Sequence, residues 1–564
     1  MNAAPTFLTL LESGRLRWDV LRPFPEQAES DRRTGDELAA ELAAFVGDRV
    51  DPEEIDRTAE LPDGLLADLR DHGYFRLVND AGLGGRGLSA YNTFRAVERV
   101  AADSVAVGQV LAIQNAVGAP ALLAALPEGP LREMVASRVA AGTISAFAGT
   151  ELQGANNTWP GLTATPTEDG SAYLLNGEKV FIGNGDVADL VAILATVVEG
   201  GSRRMAVCFL DADTPGFSVA ARLRFMGSKG LPNAGLRCAD VRVPREHVLL
   251  GDPDVPGFPP PIGAIALQSA LFFNAAPAMA IARQCLAASA EFVARRSVNG
   301  RALGDYDLIQ RLVSRTAADV YAMDTVVRWC LLDAGLADRW FERVVTKNLA
   351  TVTAWRIADR TVSLLGGEGF ETAASKRERG AAPLPVERLL RDARGPRISG
   401  NIDFLLDMQA AQRLLAHLAA RPGSAADEPA DTSDATGADL SPANRRHLDA
   451  AAQGIRRLHR ALTTLAARHS PAEELFARQE PLRVLGRISA ELFALCAVLA
   501  RTEGFTDREA GSRQELADVF CTGARHRVAG LWRRLAATET QEPDHAKLSR
   551  TLLGGSDLAS LTRP

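Results

Sequence analysis

Apolar residues early in the chain recur at three- and four-residue intervals. Leu61, Leu65, Leu66 and Leu69 set that period, which predicts helices from about residue 36 to about 140. Two of them flank a glycine-rich loop, Asp80-Ala-Gly-Leu-Gly-Gly-Arg-Gly-Leu88. From about 145 to about 250 the pattern changes. Short β-branched and aromatic runs (Tyr173–Leu175, Val191–Val198, Met205–Leu210, Gly235–Val243) alternate with Gly, Asp, Asn and Pro turns, as in a small antiparallel β domain. The helical period returns from about 262 to about 420 in long amphipathic segments. Residues 421–445 are polar, acidic and rich in Pro, Gly and Ser, which predicts a flexible linker. The rest is helical again. The expected domains are therefore 1–144 (helical), 145–255 (β), 256–420 (helical bundle), a linker at 421–445, and 446–564 (helical).

One uncharged run, Ile262 to Ala282, is long enough to cross a bilayer. Gln268, Ser269, Asn274 and Pro277 interrupt it, so a buried helix is expected. The N-terminal stretch carries charges inside its apolar part and no cleavage pattern, so no signal peptide, no membrane and a cytoplasmic location are expected. The chain has 564 residues and a net charge of −7, too long for one core and too acidic to point to nucleic acid. Its six cysteines lack the short spacings of a zinc site or disulfide framework, and its eight histidines form no HExxH-like pair. No metal is expected.

Phosphate-binding signatures are absent: there is no Walker loop, and no GxGxxG follows a strand. By spacing, Gly366-Gly367-Glu368-Gly369 reads as a helix C-terminus. A longer series of motifs carries more. Ser145-Ala-Phe-Ala-Gly-Thr-Glu-Leu-Gln-Gly-Ala-Asn156 is followed by Leu175-Asn-Gly-Glu-Lys-Val-Phe-Ile-Gly-Asn-Gly-Asp-Val-Ala-Asp189. Then come Asp213-Thr-Pro-Gly-Phe-Ser-Val219, Met226-Gly227, Asp240-Val-Arg-Val-Pro244, Arg296 to Gly300, Leu364-Leu-Gly-Gly-Glu-Gly-Phe370 and Val386-Glu-Arg-Leu-Leu-Arg-Asp392. This ordered set, over about 400 residues, resembles the acyl-CoA dehydrogenase family. Arg483 to Arg501 and Phe520 to Arg525 resemble the extra helical domain of its very-long-chain subfamily.

The resemblance implies the acyl-CoA dehydrogenase fold: an α-helical N-terminal domain, a central antiparallel β domain, a four-helix bundle and an extra C-terminal α-helical domain. It also implies FAD between the β domain and the bundle, across the interface of a homodimer. Phe147 and Thr150 match the family's flavin-side loop. Arg296 matches an arginine that reaches a neighbouring subunit's FAD pyrophosphate, a task suited to its fork of donors. Gly366 and Gly367 match glycines that let the backbone approach the dinucleotide. Other cofactor positions depart from the pattern. Phe181 stands for a tryptophan over the flavin, Gly183 for a hydroxyl residue near flavin N5, Asn156 for a serine near flavin and thioester, and Ser363 for an adenine-side glutamine.

The family reaction needs a carboxylate to take the weakly acidic α proton, a contribution of roughly 10²–10⁴ in rate. By the resemblance its usual seat is Gly400, and the alternative seat on an earlier helix is Ala270. Neither carries a carboxylate. Asp403 is the nearest candidate for a relocated base, while Glu387 and Asp392 read as structural ion-pair residues. The expected activity is therefore base-independent oxidation, with loss of CO₂, of an acyl or β-keto acid substrate in specialised metabolism, free or carrier-linked, in the manner of epoxyketone-forming relatives. Alternatives are a reduced-flavin monooxygenase that consumes O₂ in space left beside Gly183, an ordinary acyl-CoA or acyl-carrier-protein dehydrogenase using a relocated base, and a non-catalytic flavin-binding assembly protein. Asn156 and nearby arginines are candidate anchors for a substrate carboxylate. The segment Ala373–Pro385, long for the family, is expected to be either a reshaped entrance or a solvated loop.

Overall fold

The computed structural model describes residues 6–554 apart from 155–156, 260–261, 264, 266–268, 333–338, 421–436, 469–475, 506–509 and 541–542. Its contacts divide it into two units, residues 24–403 and residues 1–23 with 404–564.

The larger unit opens with helices whose starts are written in the sequence. Asp51 caps Pro52–Thr58 by accepting from the Glu53 and Glu54 amides, with proline at the first helical position. Ser89 caps Ala90–Asp103 and Ser104 caps Val105–Ala116. All twelve residues of Val105–Ala116 are buried, so it is a central helix apolar on every side.

The β domain follows as one eight-stranded sheet. Its strands are β1 (Ser145–Ala148), β2 (Thr163–Pro166), β3 (Ala172–Gly183), β4 (Leu190–Glu199), β5 (Ser202–Asp211), β6 (Phe217–Arg222), β7 (Asn233–Pro244) and β8 (Val248–Leu250). The order is β6-β7-β3-β2-β4-β5-β8, with β1 beside β4. Pairing is antiparallel as expected, except that β1 and β2 both run parallel to β4. β4 explains that arrangement. Its near-unbroken apolar run buries both faces. Val191, Ile193, Ala195 and Val197 join the sheet's own core. Leu190, Ala192 and Leu194 pack with Leu131, Val135 and Val139 of helix Pro130–Ala140. Gly200 and Gly201, both with positive φ, close the β4–β5 hairpin.

The helical period then resumes. The π-helical turn Leu271–Ala275 leads into helix Ala276–Arg295. Pro277 cannot donate to a carbonyl four residues back, and widening the turn relieves that clash. The stretch Leu271–Arg295 is apolar and long enough for a membrane span, but 72% of its most apolar window is buried inside the protein, as a core helix requires. Helices Asp307–Leu331, Trp340–Leu365 and Val386–Arg394 pack with it.

The smaller unit holds helices Phe7–Ser13, Asp403–Ala420 from its second residue, Pro442–Arg468, Gln479–Glu503, Ala510–Thr540 and His545–Leu553. Helix Asp403–Ala420, expected to close the bundle, thus groups here, as do residues 1–23. The expected linker lies outside the described residues over 421–436, and its end is already helical from Pro442, behind the Ser441 cap. Gln479–Glu503 is the buried axis: its Gly486 lies where a Cβ would strike the Asp407 carbonyl, and its Glu503 accepts from the Trp18 indole at 2.7 Å. All six cysteines are free, buried thiols.

Asp392 and Arg391 tie the β domain to the bundle. The Asp392 carboxylate, buried, accepts the Ser228 amide at 2.6 Å, and Gly227 is needed because a Cβ there would meet the Arg391 carbonyl at 2.4 Å. Arg391 in turn holds Asp56 and Glu387. Glu387 is thus the structural ion-pair residue expected, whereas Asp392 is satisfied by a backbone donor. Burial pushes the Asp392 carboxyl up to about 6. A carboxyl raised on folding binds more protons in the native state, so its contribution to stability falls as pH rises from about 4 to about 6. Asp392→Asn, which keeps an acceptor for Ser228, should remove that fall. Thermal melts of wild type and variant across this pH range measure the difference.

Candidate functional site

β1 delivers Phe147, half-buried with its ring 6.0 Å from Phe258, and leads into Thr150, whose carbonyl accepts the Val180 amide of β3. The next residue anchors the loop. Glu151 accepts the Gly161 and Leu162 amides at 2.7 and 2.9 Å, and Lys179 of β3 reaches it at 2.6 Å with its side chain 0% exposed. Lys179 also donates to the Gly149 carbonyl. Burial pulls the Lys179 ammonium down, and the Glu151 carboxylate opposes that pull. Both residues lie in the quoted motifs, but nothing in their spacing pairs them. A cavity of about 180 Å³ adjoins this loop, lined by Gly149, Glu151, Asn157, Thr158, Leu194 and Phe258. Asn156 lies outside the described residues.

Beyond Lys179 the β3–β7 register shifts, and the bulge turns Phe181 outward. Phe181 has φ of +60°, a strained conformation for a bulky residue, and its side chain is 54% exposed. A large ring held out at a backbone cost suits a surface on which a flat ligand stacks. Gly183, two residues on, does not leave space. A Cβ there would meet Ile113 Cδ1 at 2.6 Å. The room for O₂ expected at Gly183 is filled by Ile113, a residue 70 positions earlier on the central helix.

On the bundle side, helix Ala276–Arg295 ends at Arg296, which is exposed and leads into the Asn299-Gly300 hairpin turn. Its guanidinium lies 5.7 Å from the Phe292 ring. Gly366 ends helix Trp340–Leu365 with φ of +59°, as the glycine spacing predicts. A Cβ at Gly366 or Gly367 would meet nothing within 4 Å, so both backbones face open space. Ser363 is exposed one turn before them. Open glycines, an exposed arginine and a presented aromatic ring fit a flavin dinucleotide. Segment 373–385 is more than a solvated loop: Ala373–Glu378 is a helix capped by Thr372, and Lys376 is buried, donating to the Leu384 carbonyl.

The two positions that the resemblance gives for the base, Gly400 and Ala270, come together in space. Gly400 has φ of +61° and Asn401 φ of +82°, a double left-handed turn. A Cβ built on Gly400 would stand 3.8 Å from the Ala270 Cβ and 2.9 Å from Asn274 Nδ2. The carboxamide of Asn274, 1% exposed and carried on the π turn, therefore sits against the space of the missing side chain. The Ser399 hydroxyl donates to Asn274 Oδ1. Lys347, buried, donates to the Asn401 carbonyl at 2.8 Å and secures the turn, and burial pulls its ammonium down to about 7. The Asp403 carboxylate is held by Arg397, Nε to Oδ2 at 3.0 Å, and that guanidinium lies over the Trp355 ring. Asn274 and Lys347 were missed from sequence, since neither lies in a motif associated with the base.

Three acyl-CoA dehydrogenase family models match the chain: the N-terminal domain over residues 33–142, the middle domain over 146–241 and the C-terminal domain over 266–415. The "Probable acyl-CoA dehydrogenase FadE10" of Mycobacterium tuberculosis is 30% identical over 563 residues, covering 94% of this chain and 85% of that protein. The 3-sulfinopropanoyl-CoA desulfinase of Advenella mimigardefordensis is 26% identical over 399 residues, covering 68% of this chain and 94% of that protein. A solved acyl-CoA dehydrogenase from Bacillus anthracis, complexed with FAD, superposes with a TM-score of 0.75 at 20% identity, covering 100% of this chain and 96% of the other.

Two predictions test the cofactor side. Lys179→Met leaves Glu151 buried without its cation, and removing one partner of a buried pair costs about 3–5 kcal/mol; a large drop in the thermal midpoint, unchanged by added FAD, is expected. Phe181→Ala removes the ring but keeps the backbone strain, so flavin should be lost on gel filtration while the protein's far-ultraviolet circular dichroism is unchanged.

Proposed function

The chain belongs to the acyl-CoA dehydrogenase family and is an FAD-dependent oxidoreductase; from that premise we propose that it works without a carboxylate base, on a β-keto acid that makes its own carbanion by losing CO₂. The observation that carries this proposal is the Asn274 carboxamide lying against Gly400. Asn274 Nδ2 lies 2.9 Å from where a side chain on Gly400 would begin, and the alternative seat, Ala270, borders the same space. A carboxamide is not a base at neutral pH. Asp403 is engaged by Arg397, which favours its carboxylate in a structural role over that of a relocated base.

The chemistry follows from the substrate. The bond between the α carbon and the carboxylate breaks, CO₂ leaves, and the electron pair stays as an enolate, so no α proton is abstracted. Bound FAD supplies the two-electron acceptor, so that the enolate loses a hydride from the adjacent carbon and becomes an enone. Phe181, Thr150, Gly366, Gly367 and Arg296 are the residues to hold that cofactor. The exposure of Arg296 within one chain supports a dimer in which it serves the neighbouring subunit. The desulfinase relative supports the reaction class, since its name describes removal of an acid group from an acyl-CoA.

Anaerobic titration of the FAD-loaded protein tests the proposal. β-Keto acids should bleach the flavin with one CO₂ released per flavin reduced, and saturated acyl-CoAs should not. Bleaching by an acyl-CoA would mean that a base operates. A second test restores the base. Gly400→Glu alone should give no acyl-CoA dehydrogenation, because a side chain in the left-handed region costs about 1–2 kcal/mol and its Cβ meets Asn274. Combined with Asn274→Ala, the substitution should produce measurable flavin bleaching by butyryl-CoA.

A further inference from the structure

We infer that the outward face of helix Pro442–Arg468 is a docking surface for an acidic segment of another protein. The helix holds six arginines and a single acid, Asp449. At 3.6 residues per turn, Arg445, Arg446, Arg456, Arg457 and Arg460 share one side, an arc of about 120°. The leucines of the helix lie on the opposite side and are all buried. Arg445, Arg446, Arg457 and Arg460 are exposed. At 1.5 Å per residue the stripe runs about 23 Å along the axis. Helix Ala510–Thr540 packs alongside and adds the exposed Arg525, whose Nη1 lies 3.2 Å from His447 Nδ1.

Elsewhere the chain matches its surface arginines with acids one turn away, as in Arg32 with Asp36, Arg311 with Asp307 and Arg483 with Glu480. On this face the matching stops. Among the described residues Arg445, Arg446, Arg456 and Arg460 form no ion pair. Arg460 Nε reaches only the Arg456 carbonyl at 3.4 Å, and the Arg457 guanidinium lies 4.1 Å from the centre of the Trp532 ring. Like charges one turn apart, as at Arg456 and Arg460, weaken a helix. A face kept uncompensated against that cost suits carboxylates that arrive with a partner, and the guanidinium fork matches them two oxygens at a time. The occupant is an acidic segment of protein for two reasons. Among the described residues this helix exposes no large apolar side chain, whereas helices that lie on lipid bury such residues in it. The chain as a whole carries a net charge of −7, which repels an extended polyanion such as nucleic acid. A short acidic segment feels only the stripe, because charges beyond about 8 Å are screened at physiological ionic strength.

Fluorescence anisotropy of the FAD-loaded protein with a labelled peptide of alternating glutamate and alanine tests the surface. Wild type should bind the peptide and release it as salt is raised. Arg445→Glu combined with Arg460→Glu should weaken binding at least tenfold with flavin content unchanged. Arg311→Glu, at an exposed arginine of the other unit, should leave it within twofold. The double variant Arg445→Gln and Arg460→Gln, expected to lose several-fold, replaces the charge reversal if that protein does not fold. Absence of binding, or an equal loss in Arg311→Glu, would overturn the assignment. So would tighter binding, through the same arginines, of duplex DNA or of vesicles containing phosphatidylserine. Binding that appears only after Asp427, Glu428, Asp431 and Asp434 are replaced by their amides would also overturn it, because the chain's own acids would then be the occupant.

Discussion

The Asn274 carboxamide and the turn at Gly400–Asn401 compete for the same few cubic ångströms. The amide crowds any side chain at residue 400, and the positive φ there favours glycine, followed by a second left-handed step at Asn401. Lys347 and Ser399 hold the two sides of that contact, one through the Asn401 carbonyl and the other through Asn274 Oδ1. The π turn beneath, which Pro277 makes favourable, carries Asn274. None of these features is useful alone. Together they set a carboxamide beside the turn at Gly400.

The cofactor side is built differently, around strain that is anchored. Phe181 is held in a backbone conformation that bulky residues avoid, and the bulge carrying it begins just after Lys179. The buried Lys179–Glu151 pair fixes that end of β3 to the loop that follows β1, so the strained residue sits next to a rigid support. Asp392 and Ser228 add a second brace, between the β domain and the bundle.

What could be seen in the sequence was what short-range rules govern. The end of a long helix at Gly366 and the switch from helical to strand period near residue 145 depend on neighbours within one or two turns. The resemblance singled out Gly400 and Ala270, two positions 130 residues apart that the fold places side by side. Long-range contacts were invisible. Asn274 meets residue 400 across 126 positions, Ile113 meets residue 183 across 70, and Glu151 meets Lys179 across 28, and no local pattern marks any of them. The parallel placement of β1 and β2 against β4 was hidden for the same reason: β4 announces burial on both faces but not the direction of its neighbours.

The six buried thiols carry a further consequence. Burial pushes each of them upward, Cys208, Cys285 and Cys330 to about 12 and Cys238 to about 11. Oxidants attack the thiolate, and at neutral pH these positions hold almost none. Reduced flavins that meet oxygen release peroxide close to the polypeptide that binds them. With every cysteine buried and held as the thiol, such peroxide meets no ready thiolate, and the exposed thioether of Met226 is the more open sulfur.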